Sequence, residues 1–331
     1  MIGTIFNDIK GYPLGTFIPN GRNPGMMKIV HGGVARNVAE DLARSGRSPV
    51  FAALTDRSSL ASDIVKRLED SGVDTRFVRA SDAGMGTWMA IFNDKGDVAA
   101  NISIRPDLSP LTAVLDEHHE ALFADSDGII LEIDIEEATV ERVFYYAEKY
   151  GVKVYALVSV MSMSLERRKF FPRTECFVCN LQEAGMMFGK DLKSFLLKEA
   201  DAERSLSQAM MVSASSSSES FGDPGVLRFD DLARHIALLA KEEGFSKFIT
   251  TLGENGSVYA DCRVTGRDGL PLSGWCPAEK VKVIDTAGAG DAFCAGASAA
   301  LIEGRSLAEA CMAGSRMASS VITSTENVLP G

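Results

Sequence analysis

The chain is poor in cysteine, aromatic residues and basic charge, and it holds no long apolar run. Six cysteines among 331 residues (176, 179, 262, 276, 294 and 311) are too sparse for a disulfide framework. The only close pair, Cys176 and Cys179, has no second Cys pair and no neighbouring His to complete a zinc site. Cys-Phe-Val-Cys-Asn reads instead as an apolar strand entering a turn, with both thiols acting as small buried hydrophobes. Lys and Arg total 34 against 45 Asp and Glu, a net charge of −11 that excludes a general basic field for nucleic acid. It does not exclude local capture of a small anion by backbone N–H groups. No apolar run approaches the roughly 18 residues of a membrane span, and Met1 leads into Ile2-Gly3-Thr4 without a basic n-region. A cytoplasmic protein with neither signal peptide nor membrane anchor is expected.

What is present is ordinary globular material, 46% hydrophobic and 24% charged. Apolar runs alternate with helix-period segments, the pattern of an α/β layer fold with parallel strands. Strands are expected at 50–54, 128–133, 152–158, 176–179, 247–251 and 281–284. Val34, Val38 and Leu42 recur at helical spacing before Gly46, as do Ile64, Val65 and Leu68 before Gly72, and Leu232, Ile236 and Leu239 before Gly244. Two stretches break the alternation, about 10–30 and 87–105, and they could pair as a small sheet forming a lid. The stretch 201–228 contains a serine run and no sustained period, and reads as a flexible surface insertion. His118 and His119 lie in an acidic segment read as a solvated helix face.

The chemistry is concentrated in Asp285-Thr286-Ala287-Gly288-Ala289-Gly290-Asp291, which follows a β-branched segment and opens an alanine-rich helix. Glycines 288 and 290 let the backbone approach an anion, and a helix N-terminus offers unpaired N–H groups. No Gly-Lys-Ser/Thr follows, so this is not a Walker A loop, and the spacing is wrong for a dinucleotide fingerprint. That absence disfavours a nucleotide-dependent oxidoreductase. Asp291 has two readings. It is a helix N-cap, which stabilises by about 1 kcal/mol, or a general base taking a proton from a hydroxyl that attacks a phosphoryl group. Early in the chain, His31-Gly32-Gly33-Val34-Ala35-Arg36-Asn37 places paired glycines at a helix start, with Asn37 one turn in.

Together, and in this order, the two segments resemble the signatures of the ribokinase-like (PfkB-type) carbohydrate kinase family, over nearly the whole chain apart from 201–228. The resemblance implies a single domain over 1–331. It would be a three-layer α/β/α sandwich with a mainly parallel central sheet and a small β-sheet lid. It implies an ATP-dependent phosphotransferase acting on a sugar or nucleoside hydroxyl. Ala287, Gly288, Ala289 and Gly290 would supply the anion hole with Thr286 beside it, and Asp291 the base. Asp8, Gly32, Gly33 and Asn37 would hold the acceptor. Asn180 and Glu183 match the N-x-x-E motif that organises Mg²⁺ and phosphates through water. Thr251, Gly253 and Gly256 match the nucleotide turn, and Asn327 falls with the nucleotide-side residues. A K⁺ ion beside Asp285 and Thr286 and a homodimer through the lid are compatible with the family.

Within the family the likeness is to pseudouridine kinases, carried by Asn23-Pro24-Gly25, Gly33-Val34-Ala35-Arg36-Asn37 and Ser324-Thr325-Glu326-Asn327-Val328. That branch would convert pseudouridine to its 5′-monophosphate. The chain departs from it at Ser103-Ile104-Arg105, where the second lid strand should end in Asn-Asp, and at Leu157-Val158, where Asp-Pro is usual. Its first strand is also short. Arg105 reads as a solvated rim residue or as a contact to an anionic acceptor, and Trp88 as a lid residue facing the substrate. A free-sugar kinase of ribose or fructose type, and a non-catalytic ligand-binding regulator on the same fold, are the alternatives.

Overall fold

In the computed structural model, which describes residues 1–96, 98–193, 224–266 and 269–331, the apolar runs pair into one central sheet. The first half of the chain contributes β1 (Phe6–Pro13), β2 (Gly25–Gly32), α1 (Val34–Arg44), β3 (Val50–Thr55), α2 (Ser59–Asp70), β4 (Asp74–Ala80), β5 (Gly86–Phe92) and β6 (Val98–Ile104). There follow α3 (Leu111–Phe123), β7 (Ile129–Glu132), α4 (Glu137–Tyr150), β8 (Val154–Leu157), α5 (Met161–Ser164), β9 (Cys176–Asn180) and α6 (Leu181–Phe188). The last third holds α7 (Pro224–Glu242), β10 (Lys247–Thr251), β11 (Ser257–Thr265), β12 (Pro271–Cys276), α8 (Ala289–Ile302) and α9 (Leu307–Ile322).

Strands β7, β8, β9 and β10 run parallel in that order, and the β11–β12 hairpin completes one end of the sheet. At the other end, residues 1–3 fill the slot between β7 and the β3–β4 pair. The Ile2 amide donates to the Ile130 carbonyl at 3.0 Å, and the Ala52 amide to the Met1 carbonyl at 3.0 Å. The parallel strands are buried on both faces, which is why they read as continuous apolar runs rather than alternating ones. Helices α1, α8 and α9 cover one face, through Val38, Leu42, Phe293 and Cys311. Helices α3, α4 and α7 cover the other, through Leu115, Val143 and Ile236. This is the expected three-layer arrangement. Cys176 and Cys179 are both buried and free, and burial pushes both thiols up. No helix among the described residues is long and apolar enough to cross a membrane.

A second, four-stranded sheet in the order β2-β1-β5-β6 stands beside the central one. Its strands alternate. Phe6, Asp8, Lys10 and Tyr12 of β1 face inward over a cavity, while the opposite face exposes Met27, Ile29, Met89, Ile91, Ile102 and Ile104.

Three expectations change. Residues 281–284 form no strand: Val283 and Ile284 are exposed and tied down through the Ile284 amide, which donates to the Ile322 carbonyl at 2.8 Å. The Ile284 and Asp285 amides both turn to the Ile322 carbonyl at the end of α9, and no strand among the described residues pairs with the β-branched run. The expected insertion lies outside the described residues up to 223, and residues 224–228 open α7. His119 is not merely solvated, since its ring stacks on Tyr146 and its Nδ1 meets the Tyr150 hydroxyl at 2.6 Å.

Candidate active site

The cavity between the small sheet and the carboxyl ends of the central strands has a volume of about 760 Å³. Parallel α/β sheets bind ligands at that end, and the size suits a small-molecule site. Its floor is the turn before α8. Gly288 is the N-cap of that helix, at φ 78°, and a Cβ there would lie 1.9 Å from the Asn327 carbonyl oxygen. Only glycine permits both the conformation and the approach. Within the turn, the Ala287 amide donates to Asp285 Oδ1 at 3.0 Å and the Ala289 amide to the Thr286 carbonyl at 3.3 Å. The Gly288 and Gly290 amides, at the helix start, have no intrahelical acceptor.

Asp291 lies in the first turn of α8, but its side chain does not cap the helix. It accepts a hydrogen bond from Asn37 Nδ2 at 2.7 Å, across 254 residues of sequence. Asn37 is held in that orientation from its other side, because its Oδ1 accepts from Arg36 Nη1 at 2.8 Å and from Asn327 Nδ2 at 3.3 Å. With two donors on the amide oxygen, the amide nitrogen is left to face the carboxylate. Asn327 also donates to the His31 carbonyl at 2.9 Å, so the C-terminal segment closes on the start of α1. Arg36 is itself fully buried and paired with buried Glu40, which further pairs with Arg44 and Arg67. Burial pushes the Asp291 carboxyl up to about 7; the Asn37 bond opposes that shift and the nearby Asp8 charge adds to it.

Asp8 enters from β1. A Cβ at position 32 would come within 2.5 Å of its carboxylate, so Gly32 is the space in which that group sits. Burial raises its pKa to about 6, against the lowering effect of Lys10 and Arg36. Gly33, the N-cap of α1, lines the same cavity, as do Asn37, Thr286, Ala287, Gly288, Asp291 and Asn327.

The other expected residues do not line this cavity. Asn180 and Glu183 form a reciprocal capping box at the start of α6: the Glu183 amide donates to Asn180 Oδ1 at 2.9 Å, and the Asn180 amide to Glu183 Oε2 at 2.8 Å. Burial raises the Glu183 pKa, and so does the charge of Asp134. Thr251 pairs in register with Asn180 across β10 and β9, and Gly253 and Gly256 bracket the short turn that follows. These five form a patch along the carboxyl ends of two adjacent strands. Among the described residues no group of three His, Cys, Asp or Glu side chains stands ready for a metal. Mg²⁺ bound to a nucleotide does not need one, since it keeps water and uses one or two carboxylates with the phosphates.

Sequence reasoning missed Asp134 and Glu132. Asp134 is wholly buried, and its carboxylate accepts from the Ser159 and Val160 amides at 2.9 and 3.0 Å. Glu132 accepts from the Thr4 amide at 2.8 Å, and burial pushes it up to about 7. The available signal was two carboxylates in Leu131-Glu132-Ile133-Asp134, where an apolar strand ends. Arg105 is not a solvated rim residue: its Nη2 lies 3.2 Å from the Asp134 carboxylate and donates to the Asp134 carbonyl at 3.1 Å. Trp88 does line the cavity, with Phe92, whose ring stacks on Tyr12 at 4.9 Å.

Comparison with known proteins gives the family and the fold. The family model described as pfkB family carbohydrate kinase matches residues 1–330. Guanosine-inosine kinase of Exiguobacterium acetylicum is 26% identical, over 99% of this chain and 95% of that protein. Pseudouridine kinase of Escherichia coli is 20% identical over 93% of this chain and 85% of that one. Among solved structures, ribokinase from Giardia lamblia superposes with a TM-score of 0.73 at 15% identity, covering 98% of this chain and 94% of that one. The match spans the helix start that carries Asn37 and the turn that carries Asp291, and the chain belongs to the PfkB family of carbohydrate kinases, with the ribokinase-like fold.

Proposed function

We propose that this kinase transfers the γ-phosphoryl group of Mg-ATP to a hydroxyl of a nucleoside, with Asp291 as general base. The observation that carries this is a carboxylate at a helix start that leaves capping to Gly288, faces the cavity and is poised at about 7. A base works best when its pKa lies near the working pH. Asp8 and Asn37 hold acceptor hydroxyls beside it, with Gly32 and Gly33 giving them room. As the hydroxyl oxygen attacks, Asp291 takes its proton. The Gly288 and Gly290 amides, with Thr286 and the Ala287–Ala289 turn, stabilise charge on the transferring group.

Mg²⁺ carried with ATP would supply positive charge against the phosphates. Glu183 and Asn180 would hold it through water, and Thr251, Gly253 and Gly256 would bed the nucleotide. Asn327 acts by fixing Asn37. A K⁺ ion beside Asp285 and Thr286 belongs to the same proposal. The small sheet acts as a lid that excludes water, so that ATP is not hydrolysed without an acceptor. Its exposed apolar face supports a homodimer through the lid. A cytoplasmic location fits an enzyme that draws on ATP.

A nucleoside is favoured over a free sugar by the ring surfaces of Trp88 and Phe92 on the acceptor side, and by the two relatives named for nucleosides. Pseudouridine, giving its 5′-monophosphate, is the second acceptor reading, supported by the Asn23-Pro24-Gly25 and C-terminal likenesses. The test is a coupled ADP-release assay with Mg-ATP and a panel of nucleosides, ribose and fructose. ADP release that depends on a nucleoside is expected. Release with ribose or fructose alone would move the enzyme to the free-sugar kinases, and ligand binding with no release at all would make it a regulator on the same fold.

A further inference from the structure

Arg105 follows directly on β6 at the cavity wall, and nothing in the phosphoryl-transfer reading uses it. Asn101 and Ser103 of this strand, and Arg105 just beyond it, line the cavity, and Ser103 is the register partner of Trp88 on β5. The guanidinium is anchored. Its Nη2 donates to the carbonyl of Asp134 and lies beside that residue's carboxylate, which the Ser159 and Val160 amides pin in place. Its charge is balanced and its orientation fixed, and the bond to the Asp134 carbonyl takes one of the two Nη2 hydrogens, so the second remains to form a parallel pair with Nε–H or Nη1–H. A fork so held is suited to two acceptors lying side by side.

We propose that Arg105 selects the acceptor by its base, donating in parallel to O6 and N7 of a 6-oxopurine nucleoside, guanosine or inosine. This rests on the nucleoside reading above. A 6-oxopurine presents those two acceptors on one edge, whereas adenine sets an amine donor beside N7. A uracil ring, in uridine or pseudouridine, sets no second acceptor beside either carbonyl. Trp88, on the strand next to Arg105, supplies a ring face for a bicyclic base. If Arg105 served only to neutralise Asp134, the identity of atom 7 of the base would be of no consequence.

The experiment measures kcat/KM for guanosine, inosine, adenosine, cytidine and pseudouridine, with 7-deazaguanosine as the probe that replaces N7 by a carbon. In the unaltered enzyme, guanosine and inosine should lead the other natural nucleosides by about tenfold or more. The 7-deaza substitution should cost a comparable factor, the usual worth of a bidentate base contact. In Arg105→Lys, which keeps a charge for Asp134 but not the fork, the guanosine to 7-deazaguanosine ratio should fall towards one. Each ratio is taken within one protein, so loss of folded material does not disturb it. Indifference of the unaltered enzyme to N7, or a preference for adenosine, cytidine or pseudouridine, overturns the assignment and leaves the nucleoside reading intact. Failure to phosphorylate any nucleoside overturns that reading, and the role of Arg105 with it.

Discussion

At the scale of single residues, the position of Asp291 separates two readings that are identical in sequence. Aspartate at a helix start is usually a cap, and asparagine caps equally well. Here Gly288 occupies the cap, and the Asp291 carboxylate is bound by an amide from another helix at 2.7 Å. Replacement of Asp291 by Asn therefore tests the proposed base without removing a cap. The same logic sorts Asn180-x-x-Glu183 the other way. Its two side chains satisfy one another's backbone in a capping box, so a motif read for phosphates and metal also holds the start of α6. At Asn180 and Glu183 the proposed ligand-holding role and the cap fall on the same side chains, whereas the Asp291 side chain makes no cap bond.

At the scale of elements, the small sheet does two jobs with one alternation. Inward residues of β1 and β6 line the cavity, and outward residues make an apolar face whose members are up to 80% exposed. Such a face on a sheet with open edges calls for a cover. Light scattering should show a dimer for the native chain and a monomer for Ile102→Lys, a charge placed at a residue 67% exposed on that face. A native monomer at micromolar concentration would contradict the proposed interface. The central strands were legible because burial on both faces leaves continuous apolar runs, and the glycine turns because each holds a backbone conformation or approach that few residues allow. The false strand at 281–284 had the right composition but no partner, which composition does not encode. Strands β4, β11 and β12 went unread because exposed polar or charged positions interrupt their apolar pattern. The Arg105–Asp134 contact joins residues 29 apart, and no local pattern announces it.

Over the whole molecule, the buried carboxyls set function and stability against each other. Asp8 is raised to about 6, Glu132 and Asp291 to about 7 and Asp41 to about 8, in each case chiefly by burial. Each binds its proton more tightly in the folded than in the unfolded chain. Between the ordinary carboxylate range and these values the native state holds more protons, so stability falls as pH rises through that window. The Met1 amino group and His31 are shifted downward and offset part of this. The apparent Tm should be higher near pH 6 than near pH 8, and Asp41→Asn should flatten the difference; a Tm that rises from pH 6 to 8 would refute the balance. Turnover runs the other way, because the base must be ionised to accept a proton, and activity should climb as pH passes about 7.

The most direct test of the account is a comparison of binding and turnover in Asp291→Asn. Calorimetry should find ATP and nucleoside bound with near-native affinity, while kcat falls by roughly 10²–10⁴, the usual worth of a positioned base. The climb in activity around pH 7 should disappear with it. Turnover within a few-fold of the native enzyme, with its pH dependence intact, would mean that Asp291 is not the base and that the proton leaves the acceptor by another route.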